Sequence, residues 1–257
     1  MSYDNILVVN KERVCYLTIN RPKQLNALNA KTISELNKAI TIAEKDNKIR
    51  CIVLTGAGDK AFVAGADIKE FIAFDKKQGK ELSENGQEML FDLLENASTP
   101  SIALINGFAL GGGLELALSC HIRIASENAK MGLPEVSLGV IPGYGGTQRL
   151  AQLVGKGRAF EIITTARMIG AKEALDIGLI NYLCPQKELV FKAEFIANMI
   201  KKNSSTAISK AIKSINACFK EGTNGYDVEK ELFGSCFKTK EFVEGTQAFI
   251  EKRKPNF

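Results

Sequence analysis

Residues 107–120 read Gly-Phe-Ala-Leu-Gly-Gly-Gly-Leu-Glu-Leu-Ala-Leu-Ser-Cys, and the three consecutive glycines open an apolar, helix-like segment that carries one carboxylate, Glu115. Glycine has no Cβ, so such a loop can approach a ligand closely and aim its N–H groups at an anionic oxygen. Glu115 stands three residues past the middle glycine, Gly112, near whatever those groups hold. Leu114, Leu116, Ala117 and Leu118 surround it. A carboxyl in that setting is expected to have a raised pKa, which suits proton transfer near neutrality. The alternative is a first-turn glutamate that only complements the helix dipole, and the motif alone leaves both open. An electrophile-binding loop beside an acid or base suggests an enzyme.

Other candidates are weaker alone. Glu135 follows Pro134 and reads by itself as an ordinary helix-start glutamate. Ala64-Gly65-Ala66-Asp67 reads as a loop before a helix that Asp67 is placed to cap. Gly56-Ala-Gly58-Asp-Lys-Ala61 almost matches a dinucleotide fingerprint, with Asp75 downstream. Its helix would have to run through Val63-Ala-Gly65-Ala, and no acidic strand end is evident at Asp75, so nicotinamide binding is disfavoured. No Gly-Lys-Ser/Thr and no GxSxG is present. The one histidine, His121, excludes a multi-His metal site. It directly follows Ser119 and Cys120, too close along the chain to face them, and reads as structural. Six scattered cysteines without a CxxC pair fit buried free thiols in a reducing cytoplasm.

These residues need a scaffold. Ile6–Asn10 and Val14–Ile19 flank a polar turn and predict a β-hairpin. Apolar residues at 33, 36, 39, 40 and 43 predict a helix over Ala30–Asp46. Ile49–Thr55, Ile102–Ile105 and Ile122–Ala125 read as strands, and Ile68–Asn96 as a polar helical region. Strand, Gly-rich loop and helix recur in that order, which implies an α/β class. From near Val190 the chain is more charged and strand-poor, a helical appendage. Its Phe233, Phe237, Phe242, Phe249 and Ile250 read equally as an oligomer contact or as local packing. At 257 residues the chain can bury a substantial core. No apolar run is long enough for a membrane span, and no signal peptide is evident at the start. The net charge of +5 is mild and compatible with a small anion without pointing to one, and no nucleic-acid partner is expected.

Taken together, Asn20-Arg-Pro-Lys-Gln-Leu-Asn-Ala-Leu28, Ala61-Phe-Val-Ala-Gly-Ala-Asp-Ile-Lys69, Asn106 to Glu115, Pro134-Glu135, Pro142-Gly-Tyr-Gly-Gly-Thr-Gln-Arg149 and Ala248 to Pro255 resemble the enoyl-CoA hydratase/isomerase (crotonase) family along nearly the whole chain. Within it, short-chain 3-hydroxybutyryl-CoA dehydratases are the most similar. The resemblance implies a spiral of repeated ββα units over residues 1–195 and a C-terminal helical trimerisation region over 196–257. It implies an acyl-CoA substrate, water addition to a trans-2-enoyl-CoA, a place in fatty acid and butanoate metabolism, and a homotrimer or homohexamer. It implies no metal and no cofactor beyond the coenzyme A of the substrate. The oxyanion-hole donors fall on Ala66 and Gly112, and the family's two hydratase glutamates on Glu115 and Glu135. Substrate contacts fall on Lys23, Leu25, Ala27, Ala64, Asp67, Ile68, Lys69, Pro142 and Tyr144, with Phe249 and Lys252 from the same or a neighbouring subunit. Leu114 and Tyr144 depart from the residues frequent there and put chain-length preference in question. An isomerase, an acyl-CoA hydrolase and a non-catalytic CoA-binding protein of the same fold are the alternatives.

Overall fold

The computed structural model describes residues 3–257. Strands β1 (Ile6–Lys11) and β2 (Val14–Ile19) form the expected antiparallel hairpin. Its turn residues Glu12 and Arg13 both have positive φ, 49° and 68°, matching the twist a two-residue hairpin needs. Helix α1 (Ala30–Lys45) is capped by Asn29, whose Oδ1 accepts from Thr32 N, and it buries the predicted apolar stripe.

From there one pattern repeats. Each turn lays one strand in a six-stranded sheet and the next in a four-stranded sheet, and a helical segment then brings the chain back. Strands β3 (Cys51–Gly56) and β4 (Ala61–Val63) make the first turn and lead into α2 (Lys76–Gly86), a π turn (Gln87–Phe91) and α3 (Asp92–Glu95). Strands β5 (Ser101–Ile105) and β6 (Phe108–Leu110) make the second and lead into α4 (Gly112–Ser119). Strands β7 (Ile122–Ser126) and β8 (Lys130–Gly132) make the third, followed by a 3-10 turn (Glu135–Leu138), α5 (Gly146–Val154) and α6 (Lys156–Thr165). Strand β9 (Ile169–Gly170), α7 (Ala171–Asp176) and β10 (Tyr182–Cys184) finish the spiral. The sheet orders are β1-β2-β3-β5-β7-β10 and β4-β6-β8-β9. From β2 to β10 the larger sheet is parallel.

A parallel sheet covered on both faces needs near-continuous apolar strands. In β3, Ile52 and Leu54 face the main core, and Cys51 and Val53 face the second. The second core is closed by α8 (Leu189–Ile200) through Leu189, Ala193, Ile196 and Ala197. The division expected at residue 195 falls inside α8. Helices α9 (Ser205–Ala217), α10 (Gly225–Cys236) and α11 (Lys240–Ile250) follow. Among the described residues no helix is long and apolar enough to cross a membrane.

The structure sharpens two local readings. The segment 68–96 is not one helical run. Asp75 starts α2 with a capping box to Gln78, and the π turn interrupts the helix at Gln87. The glycines at 56 and 58 lead into strand β4, whereas the disfavoured dinucleotide reading needs a helix there. A Cβ on Gly56 would collide with the Ala61 and Phe62 carbonyl oxygens, so glycine here serves a tight strand-to-strand corner.

Candidate active site

The site forms at the carboxyl ends of β4 and β6, whose outgoing loops carry Ala64–Asp67 and Gly111–Glu115 into a crevice of the kind parallel sheets leave at that end. Three glycines divide the work there. Gly111 has φ 51°, and a Cβ on it would sit 2.8 Å from Glu135 Oε1. Gly113 lies so close to β4 that a Cβ would strike the Val63 carbonyl. Gly112, between them, is the first residue of α4, where helical N–H groups have no partner within the helix.

The second loop, Ala64–Asp67, is knitted to residues 25–28. Ala64 N donates to Leu25 O (3.1 Å), Leu28 N to Gly65 O (2.9 Å) and Asp67 N to Leu28 O (2.7 Å). Arg21 locks the two strips together. Its guanidinium donates to the Ala27 carbonyl and pairs with Asp67 Oδ2 at 2.9 Å. The expectation that Asp67 caps a helix is thereby corrected. Its side chain makes no cap bond, because the facing Arg21 offers a charge-assisted partner. Asn26, buried and at φ 60°, braces this corner by donating to the Ala57 and Ala61 carbonyls.

The pattern of bonds at Leu28 leaves Ala66 N without a backbone partner, and Gly112 N also has none among the described residues. A Cβ on Gly112 would lie 3.6 Å from Ala66 N, so the two free donors flank one small space.

Both carboxyls meet there. Glu115 is 1% exposed. Its Oε1 accepts from Tyr144 N (2.7 Å) and Gly146 N (2.8 Å). Burial pushes its pKa up to about 7, and the Glu135 charge adds to the rise, while the two N–H groups and Arg149 oppose it. Glu135 is half-buried at the start of its 3-10 turn, and burial raises its pKa as well. Its Oε2 has no hydrogen-bond partner among the described residues. Two carboxyls pushed toward neutrality beside two unused N–H groups can hold a water and move protons to and from a polarised carbonyl compound.

Tyr144 forms one wall. It is buried, its ring is stacked on Phe91 at 4.6 Å, and its Cδ2 lies 3.5 Å from a Cβ built on Gly112. The opposite ring edge rests on Gly86, where any Cβ would collide with it. His121 is absorbed elsewhere: its Nδ1 accepts from Ser101 N at 3.0 Å, a structural role. All six cysteines are free; four are buried, while Cys218 is exposed and Cys236 partly so.

The sequence matches the enoyl-CoA hydratase/isomerase family over residues 10–257. The chain belongs to this family. It is 46% identical over 255 residues to the short-chain-enoyl-CoA hydratase of Clostridium acetobutylicum, covering 99% of this chain and 97% of that one. It is 43% identical over 258 residues to the crotonyl-CoA hydratase of Syntrophomonas wolfei, covering 100% and 99%. The solved enoyl-CoA hydratase of Bacillus anthracis superposes with a TM-score of 0.93 at 40% identity, over 99% of both chains.

Within this enoyl-CoA hydratase/isomerase chain, most of the residues assigned by motif come together. Lys23, Leu25, Ala27, Ala64, Ala66, Asp67, Ile68 and Lys69 lie on the two knitted strips, with Lys23, Leu25, Ile68 and Lys69 exposed. Gly112 lies against this strip at Ala66, Gly111 lies between Gly65 and Glu135, and Tyr144 packs on Gly112 and donates its N–H to Glu115, with Pro142 two residues before it. Phe249 and Lys252 do not join this group within one chain. At the start of α11, Glu241 accepts from Ser204, Ser205 and Thr206, beside a cleft of about 580 Å³ lined also by Arg13, Arg50, Pro100 and Phe257. That cleft lies at the amino ends of β2, β3 and β5, opposite the site, and Phe249 is 85% exposed. Sequence reasoning also passed over the residues that hold the site: Arg21, Gly86, Phe91 and Arg149. The arginines stand inside the quoted motifs, but their partners are far away along the chain.

Proposed function

We propose that this chain is an enoyl-CoA hydratase that adds water reversibly across the trans-2 double bond of a short-chain enoyl-CoA, turning crotonyl-CoA into 3-hydroxybutyryl-CoA. The observation that carries this reading is the pair of carboxyls with raised pKa, Glu115 buried and Glu135 half-buried, beside two unpaired backbone N–H groups.

The thioester oxygen would lie between Ala66 N and Gly112 N. As hydroxide adds at C3, negative charge builds on that oxygen, and a preorganised donor contributes about 3 kcal/mol to such a transition state. Glu115 takes a proton from the water through Oε2, since Oε1 is occupied and its two N–H bonds favour the charged form. Glu135 supplies a proton to C2. Its buried Oε2 lacks a partner, which favours a protonated carboxyl able to donate. The two titrate as a coupled pair. No metal or redox group is called for.

Tyr144 supports the short-chain preference. Its ring, wedged between Gly86, Phe91 and Gly112, fills space next to the reacting carbons where a longer acyl chain would run. The exposed strip from Lys23 to Ala27 and from Ala64 to Lys69 is the surface offered to the CoA part. Phe249 and Lys252 reach this strip from a neighbouring subunit of a trimer or hexamer. The free, largely buried thiols fit work in the cytoplasm.

The test is loss of enoyl-thioester absorbance on adding water to crotonyl-, hexenoyl- and decenoyl-CoA. The expected kcat/KM falls with chain length, and Tyr144→Ala flattens that fall. Thiol release would point to a hydrolase, double-bond migration without hydration to an isomerase, and no turnover to a binding protein.

A further inference from the structure

Glu115 is held by a turn, and the turn is held from three sides. Tyr144 N shares its peptide plane with the Gly143 carbonyl, which accepts from Ser83 Oγ (2.5 Å) and Gln87 Nε2 (2.8 Å). Gly146 N shares its plane with the Gly145 carbonyl, which accepts from Gln148 N and Arg149 N in the first turn of α5. The plane between them carries the Tyr144 carbonyl, and that carbonyl accepts from Arg149 Nη1 at 2.8 Å. The other end of the guanidinium is anchored: Nη2 donates to Asp92 Oδ1 and Glu95 Oε2, both at 2.7 Å. Arg149 is buried. Gly145 has φ 92°, and a Cβ there would collide with Arg149 Nη1, so glycine is what lets the guanidinium lie inside the turn.

We propose that Arg149, anchored by Asp92 and Glu95, is a positioning residue for Glu115: it sets the 143–146 turn so that both N–H groups point at Oε1 and Oε2 stays free for the reaction. This rests on the hydratase reading of Glu115. The groups facing Glu115 are the Glu135 carboxyl from the 3-10 turn, the Tyr144 phenol on the same turn, and the Arg149 cation from α5. Burial raises the Glu115 pKa, Glu135 adds to that, and the Gly146 and Tyr144 N–H groups and Arg149 lower it. Removing Arg149 deletes one lowering influence, loosens the other two, and leaves Asp92 and Glu95 uncompensated. All of these act in one direction, upward. Hydration needs Glu115 ionised, so the acid limb of the rate profile moves to higher pH.

The experiment compares Arg149→Met and Arg149→Lys with the wild-type full-length protein, following kcat and KM for crotonyl-CoA across pH. The Glu115 carboxyl is titrated in parallel by carbon-13 NMR. Arg149→Met is expected to lose on the order of 10- to 100-fold in kcat with KM little changed, as a small misplacement of a catalytic group does. Its acid limb and the Glu115 titration both move up by about one unit. Lysine keeps the charge but cannot bridge a carbonyl and two carboxylates, so its values fall between. An unmoved acid limb in folded Arg149→Met overturns the proposal, however large the loss of activity. If Arg149→Met does not fold, Arg149→Lys decides, and wild-type kcat and limb position in that variant overturn the proposal. A wild-type protein that does not hydrate crotonyl-CoA sinks the hydratase reading alone, because the NMR titration still reads the effect of Arg149 on Glu115.

Discussion

Burial of Glu115 acts on stability as well as on chemistry. Its folded pKa, about 7, lies above the ordinary 4.5 of a glutamate, because the charged form loses its water. Between those values the folded state keeps a proton that the unfolded chain has released. Stability from this group therefore falls as pH rises through that window, and the cost is complete above about pH 7. Glu115→Gln keeps an oxygen that accepts from Tyr144 N and Gly146 N and removes the charge. It is expected to melt at a higher temperature than the wild type above about pH 7, with the difference vanishing toward acid pH. A scan in which the difference does not grow between acid pH and about pH 7 would mean that Glu115 is not strained by burial. The same variant, and Glu135→Gln, should each lose at least about 100-fold in crotonyl-CoA hydration, the range of general acid–base catalysis. Near-normal turnover removes that residue from the mechanism.

At the scale of the element, α4 begins with a donor that proline can delete without removing a bond of the helix. Gly112 occupies the first helical position, where proline's missing N–H takes nothing from the helix. The nearest atoms to a Cβ there are Tyr144 Cδ2 at 3.5 Å and Ala66 N and Tyr144 Cε2 at 3.6 Å, all ordinary contacts. Gly112→Pro should keep its circular dichroism and lose on the order of 100-fold or more in kcat, the effect of one oxyanion donor. Activity retained in the folded variant would show that Gly112 N is not a donor. The neighbouring glycines are different in kind. Gly111 needs its positive φ and its distance from Glu135, and Gly113 needs its close approach to β4. In sequence the three are one Gly-rich signal, legible as a loop that can meet a ligand. Their separate tasks depend on Glu135 and Val63, which the loop cannot announce.

Across the whole molecule, the three turns of the spiral bury their strands in both sheets, whereas the C-terminal helices leave large apolar groups in solvent. Phe233 packs edge-on to Phe237, and Phe237 against Phe242, yet Phe233 is 66% exposed. Tyr226, Phe249 and Ile250 are more exposed still. Apolar exposure on this scale is what a contact with a further subunit would cover. In sedimentation the chain is expected to run as a trimer or hexamer, and Phe233→Glu to shift it toward smaller species. A wild-type monomer would remove the neighbouring subunit from the CoA site and with it the proposed role of Phe249 and Lys252.

What the sequence determined by itself is what lies close along the chain. Apolar periodicity located the hairpin, α1 and the strands, since burial acts on neighbours two, three or four residues apart. The motifs, in their order, were enough to suggest a family and to single out Glu115, Glu135, Ala66 and Gly112. The tertiary structure alone decided what holds those groups. Arg21 meets Asp67 across 46 positions, Arg149 meets Asp92 and Glu95 across 57 and 54, and Glu115 receives its N–H bonds across 29 and 31. No local propensity encodes such pairs. They arise because each turn of the spiral stacks on the last, so that the carboxyl ends of successive strands, and the loops that leave them, arrive at one crevice.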